Sequence, residues 1–183
     1  MSDIKELEQQ IIALREEVEA LKANAPKDQL SMVVMSGDLD KLLAAFIIAT
    51  GSAAMYDRVV MFFTFWAIPA LKDPKKKVPK DIISKAFEIM LPQNTKGLKL
   101  SNMNMAGVGP VLIKSLMKKH NVKSLGDFIK LAGEMGVEIY VCQMSMDLLG
   151  YKWEEMIDYP NVKSAGVGKF VAEAGQSKAS LFI

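Results

Sequence analysis

Two short apolar runs, Leu30 to Met35 and Arg58 to Phe65, flank a stretch from Leu39 to Thr50 whose apolar residues have the period of a buried helix. Runs that are apolar on both sides of the pleat are what parallel strands look like when both of their faces are covered. A strand, a helix and a second such strand in this order fold as a right-handed β-α-β unit. Ser36-Gly37-Asp38 supplies the turn, and Asp38 is placed to cap the helix by accepting from its first N–H groups. The whole stretch from Ala44 to Leu71 is apolar enough to raise the question of a membrane span. Gly51-Ser52 and Tyr56-Asp57-Arg58 interrupt it, so a buried helix followed by a buried strand is expected.

The rest of the chain continues the alternation. Pro74 to Lys80 reads as a loop, Asp81 to Leu91 as a helix stopping before Pro92, and Leu98 to Leu100 as a short strand. The turn Ala106-Gly107-Val108-Gly109-Pro110 introduces a helix to about Lys119. Ser124 with Asp127 resembles a helix start, and Leu125, Phe128, Ile129, Ala132 and Met135 mark one face. Gly136 ends that helix and Val137 to Cys142 forms the next strand. Short helices are expected near Ser145, over Trp153 to Ile157 and over Gly166 to Ala174, with Ala179 to Ile183 as an edge strand. The expected fold is α/β, a flavodoxin-like three-layer sandwich around a mostly parallel five-stranded sheet.

Ahead of this domain, Ile4, Leu7, Ile11, Leu14, Val18 and Leu21 recur at alternating spacings of three and four, the a/d pattern of a coiled coil. Isoleucine or valine at each a and leucine at each d favour a parallel two-stranded coil, with Glu17 able to pair with Lys22 of the partner helix. The alternative is that this helix packs along its own domain. Pro26 lies in the hinge, so residues 1–24 form the helix, 25–29 the hinge and 30–183 the α/β domain.

The 23 basic and 21 acidic side chains are too balanced for a nucleic-acid-binding protein. A single cysteine excludes an internal disulfide and a zinc cluster, and fits a reducing compartment, the cytoplasm. The N-terminus lacks the continuous apolar core of a secretory signal. Lys72, Lys75, Lys76, Lys77 and Lys80 form either a solvated loop or a surface that steers an acidic partner. His120 ends a helix, where a cation complements the dipole. No metal site and no cofactor are expected.

Cys142 falls at the C-terminal end of a strand, the place where open α/β sheets bind ligands. A helix starting just beyond it would direct N–H groups at the sulfur and favour the thiolate. The alternative is a buried cysteine acting as a small hydrophobe. Gln143, Met144 and Ser145 follow it, and Asn104, Met105 and Gly107 lie in another strand-end loop that can supply amide donors and polarisable thioethers. Methionines filling gaps in a core would account for the latter equally well.

Four blocks in order, Ser36-Gly37-Asp38-Leu39-Asp40-Lys41, Met61-Phe62-Phe63-Thr64-Phe65-Trp66, Asn102-Met103-Asn104-Met105 and Cys142-Gln143-Met144-Ser145-Met146-Asp147, resemble the DsrE/DsrF-like family of sulfur-relay proteins. The resemblance implies that Cys142 carries sulfur as a persulfide or thiosulfonate. Candidate pocket residues around it are Ser36, Gly37, Asp38, Thr64 and Trp66 with the Asn104 and Gln143 loops, although capping and turn formation account for Ser36, Asp38, Asn104 and Ser145 equally well. The resemblance implies sulfur-donor and sulfur-acceptor partners of rhodanese-like or TusA-like type, and homo-oligomers, commonly trimers or hexamers. It also admits peripheral membrane association through the apolar stretch from Ala44 to Leu71. Against it stand an oligomeric scaffold with a structural cysteine, and a thiol redox sensor.

Overall fold

A computed structural model describes residues 2–76, 78–80, 85, 91, 92, 95 and 97–183. The expected helix from Asp81 to Leu91 and the side chain of Lys77 lie outside the described residues. The chain opens with a long helix, α1 (Ser2–Asn24), followed by β1 (Lys27–Val34), α2 (Leu39–Ser52) and β2 (Arg58–Phe63). A 3-10 segment, Phe65–Leu71, follows β2. Then come α3 (Val108–Lys119), α4 (Leu125–Glu134), β3 (Glu138–Cys142), α5 (Gln143–Leu149), β4 (Val162–Ala165), α6 (Val167–Gln176) and β5 (Ser177–Phe182).

The five strands form one sheet in the order β4-β3-β2-β1-β5, and every pairing is parallel. This is the flavodoxin-like α/β architecture expected from the alternation of runs. From β1 to β4 the chain advances in one direction, then α6 carries it back to lay β5 along the far side of β1. The two faces of the sheet are therefore covered differently. Leu30, Met32, Val34, Val59, Met61, Phe63, Ile139 and Val141 turn into the larger core with Leu42, Phe46 and Ala49 of α2 and Ile129 and Ala132 of α4. The alternate side chains Val60, Phe62, Tyr140 and Cys142 face the other way, toward Phe170 of α6. Period-two alternation alone makes this division.

Several expectations are corrected. Strand β1 begins at Lys27, so the hinge shrinks to the residues around Pro26. Leu98 to Leu100 is not a strand: Leu98 is buried from a loop whose Lys99 carbonyl accepts from the Leu39 N–H at 2.7 Å. The fifth strand is instead β4, whose residues Val162-Lys163-Ser164-Ala165 are too few and too polar to announce a strand. The basic loop is not simply solvated. The side chains of Lys72 and Lys80 are buried, their Nζ atoms 3.2 and 2.9 Å from the carboxylate of buried Glu155. Lys76 bonds to Asp158 at 2.6 Å.

The apolar stretch from Ala44 to Leu71 is consumed by α2, β2 and the 3-10 segment, with Phe46, Ala49, Met61, Phe63, Ile68 and Leu71 buried. Among the described residues no helix is long and apolar enough to cross a membrane. Residue α1 side chains behave differently: every described one is exposed, including all six of the a/d ladder.

Candidate functional site

In a parallel sheet the loops that follow the strands gather at one end, and here that end carries the candidate residues of three loops. Ser36, Gly37 and Asp38 follow β1, Thr64 and Trp66 follow β2, and Gln143, Met144 and Ser145 follow β3. A Cβ on Gly37 would collide with the carbonyl oxygen of Trp66, so only glycine lets the first two loops meet. The Thr64 N–H donates to the Val34 carbonyl at 3.0 Å, and Thr64 Oγ1 lies 2.8 Å from Ser145 Oγ. One chain of contacts thus links the ends of β1, β2 and β3. Ser145, fully buried, serves as the joint rather than as an exposed nucleophile.

Asp38 occupies the N-cap of α2, but its carboxylate makes no capping bond and accepts instead from Ser36 Oγ at 3.0 Å. The expected side-chain cap is replaced by a local turn that holds the loop. The Asp40 carboxylate, burdened by partial burial, is nevertheless kept below its ordinary range by the hydroxyl and N–H of Ser101, 2.5 and 2.9 Å away. That pair anchors the loop bearing Asn102 to Met105 to the start of α2.

Two depressions open beside these loops. One of about 480 Å³ is lined by Ser36, Gly37, Asp38 and Trp66, and shares Gly97 and Lys99 with a second, lined by Asn104, Gly107 and Lys114. Gly107 caps α3 at φ 94°, a conformation open to glycine, whereas Phe65, Met103, Met105 and Ala106 hold φ between 43° and 54° without that freedom. Four non-glycine residues in the left-handed region, one just after β2 and three in the turn before α3, cost conformational energy that surrounding contacts must offset. Met103, Met105 and Met144 are exposed and fill no core.

Cys142 borders neither depression. It is the last residue of β3, 3 % exposed, and packs with Val60, Phe62, Tyr140, Ala165 and Phe170. Its side chain makes no bond to the N–H groups of α5, so the expected donation from that helix to the sulfur is absent. What the position does offer is a parting of the chain. After β3 the chain turns toward the larger core, where Met146 and Leu149 of α5 are buried; after β4 it turns to the opposite face through α6. Cys142 pairs in register with Ala165 at this divergence, the type of crevice where α/β sheets bind ligands. Ser164 Oγ donates to Gln143 Oε1 across it at 2.5 Å, and Gln143 Nε2 donates to Asp147 at 2.9 Å.

The residues that cover the sulfur were only partly within reach of the sequence. Tyr140 stands two positions before Cys142 and must share its face, but Phe170 and Ala165 come from β4 and α6, whose return across the sheet has no local signature. Phe170 stacks on Phe62 with ring centroids 5.6 Å apart. Lys169 lies 5.4 Å from the Tyr140 ring. Below them, Glu173 accepts from Arg58 at 2.6 Å, from Gln29 at 2.9 Å and pairs with Lys169 at 2.6 Å. Burial opposes its charge, yet these donors outweigh it and hold the carboxyl down to about 2. Arg58 is shared with Glu138, 2.6 Å away, which raises the guanidinium pKa further and lowers that of Glu138.

Among the described residues no cluster of three or more His, Cys, Asp or Glu side chains is arranged to hold a metal ion. The model of the DsrE/DsrF/DrsH-like family matches residues 26–182. The chain is 44 % identical over 154 residues to "Uncharacterized protein YrkE" of Bacillus subtilis (strain 168), covering 84 % of this chain and 95 % of that protein. It is 30 % identical over 166 residues to "Sulfur carrier protein DsrE2" of Allochromatium vinosum, covering 85 % and 98 %. The crystal structure of the ychN protein from E. coli superposes with a TM-score of 0.50 over 85 % of this chain and 99 % of that one, at 10 % identity, and so shares the fold.

Proposed function

Because this chain belongs to the DsrE/DsrF/DrsH-like family, we propose that it is a sulfur carrier that takes up sulfane sulfur on Cys142 and passes it to a partner's thiol. In the loading step the Cys142 thiolate attacks the outer sulfur of a donor persulfide; the new S–S bond leaves Cys142 as a persulfide and the donor departs as a thiolate. In the unloading step an acceptor thiolate attacks that outer sulfur and Cys142 leaves as the thiolate. The two steps balance without an external oxidant or reductant. With tetrathionate as donor the Cys142 thiolate attacks a sulfane sulfur, thiosulfate departs as the leaving group, and Cys142 is left carrying an –S–SO3⁻ group, again without an external oxidant or reductant.

The observation that carries this reading is the placement of the chain's only cysteine at the parting of β3 and β4, in a chain whose relative is a named sulfur carrier. The apolar surroundings shield a bound sulfur from water, and exchange requires that the covering residues move aside. Donors and acceptors of rhodanese-like or TusA-like type would approach the strand-end edge, where Trp66, Met105 and Met144 are exposed. A thiol that must return to the reduced state between transfers suits the cytoplasm.

Intact-protein mass before and after incubation with polysulfide tests the proposal. The native chain should gain one or more sulfur atoms, lose them to dithiothreitol, and gain none once Cys142 is replaced by serine. Loading of the serine variant, or a native chain that gains no mass until it is unfolded, would overturn it; the second result is that of a structural cysteine.

A further inference from the structure

We infer that α1 is a dimerisation helix: two copies of this chain join through a parallel, in-register coiled coil of their α1 helices. The side chains of Ile4, Leu7, Ile11, Leu14, Val18 and Leu21 are 45 to 65 % exposed, so the a/d ladder is not used to pack α1 on its own domain. The family match begins at residue 26, which leaves α1 wholly outside the matched family unit. A helix of 23 residues, ~35 Å long, leaves its apolar stripe in water unless a partner covers it, and packing of such a stripe is where most helical stability in proteins comes from.

The partner that fits is a second copy of the same helix. In a parallel pair each layer of the seam is homogeneous. Ile4, Ile11 and Val18 meet their equivalents at a and Leu7, Leu14 and Leu21 meet theirs at d, the combination that selects two strands. Glu17 at g faces Lys22 at e of the other helix, giving two complementary pairs by symmetry. Asp3 at g faces Glu8 at e, a like-charge pair confined to the first turn, while the apolar seam and the Glu17–Lys22 pairs match a second copy of this helix in spacing and length.

The consequence for the site follows from the sheet. α1 joins β1 at its N-terminal end through Ala25 and Pro26, whereas Cys142 ends β3 on the opposite edge. Parallel strands of six residues separate those edges by ~20 Å. The coil therefore holds two domains together and leaves both Cys142 edges facing away from it. The pairing stands whether or not Cys142 carries sulfur, and its tests do not use sulfur loading.

In a Cys142→Ser background, Leu21→Cys and Ala20→Cys place one thiol at the seam and one beside it. Under oxidised glutathione the Leu21→Cys chain should form a covalent dimer about tenfold faster than the Ala20→Cys chain, because only facing d positions bring the Cα atoms within disulfide reach. Equal rates would overturn the proposal, as would no cross-link at Leu21, which an antiparallel pair would give. Light scattering on the full chain provides the second measurement: Leu7→Glu with Leu14→Glu should halve the mass of the assembly, and an unchanged mass would overturn the proposal too.

Discussion

Gly37 is the tightest point of the strand-end edge. Its Cα hydrogens face the Trp66 carbonyl, and any side chain there must push apart the loops after β1 and β2. Gly37→Ala should therefore destabilise the domain by about 1–3 kcal/mol, the usual cost of forcing a methyl group into packed surroundings. The check is the urea midpoint, together with a change in the emission of Trp66 in the native state; an unaltered midpoint would mean that the two loops separate freely. The glycine's place in a turn before a helix is visible in Ser36-Gly37-Asp38, but the carbonyl that forbids a Cβ comes from residue 66 and leaves no mark in the sequence around residue 37. The same gap separates the two readings of Lys72 and Lys80. A run of lysines announces a charged surface, and only the arrival of Glu155 from the other side of the sequence turns two of them inward.

At the scale of elements, α6 covers the face of the sheet to which Cys142 belongs. It is held to the sheet by the Phe170–Phe62 contact near the sulfur and by the Glu173 network one helical turn below. Glu173→Gln removes the charge that Arg58 and Lys169 share, and should cost about 2 kcal/mol. Part of that loss should appear as easier local opening, so that the native Cys142 thiol reacts roughly tenfold faster with 4,4′-dithiodipyridine. The pH dependence has a definite sign. The Glu173 carboxyl is held at about 2 in the folded chain against an ordinary 4.5, so its stabilisation is complete above pH 4.5 and is lost as the pH falls towards 2. The wild-type and Glu173→Gln chains should converge in stability over that interval, and a gap that persists unchanged to pH 2 would refute the role given to the ion pair. The capping box of Ser124 with Asp127 and the α4 stripe of Leu125, Phe128, Ile129 and Ala132 were legible, because caps and periodicity are local, whereas Met135, expected on the same face, is the exposed residue that ends the helix. Strand β4 and the crossing of α6 to the far face were not. A four-residue edge strand with exposed polar positions carries no hydrophobic pattern, and the face on which a helix lands is set by the sheet it returns to.

At the scale of the whole molecule, the chain divides into two parts that share almost no buried surface. Among the described residues the larger core draws on β1 to β3, α2, α4 and α5 and includes none of α1. The link between them is the single connection through Ala25 and Pro26. Two parts joined in this way have no physical reason to unfold together, since cooperativity comes from shared contacts. Far-ultraviolet circular dichroism reports all helices, with α1 the longest of those described; tryptophan fluorescence reports only the domain, because Trp66 and Trp153 both lie there. Thermal melts followed by the two probes should therefore be non-coincident, with an early loss of helical signal whose midpoint rises with protein concentration as association of α1 requires. A chain beginning at residue 26 should lose the early phase and retain the later one at the same midpoint. Coincident melts in the full chain would show that α1 docks on the domain in solution, and would replace the free helix by one whose a/d side chains find their cover within the same molecule.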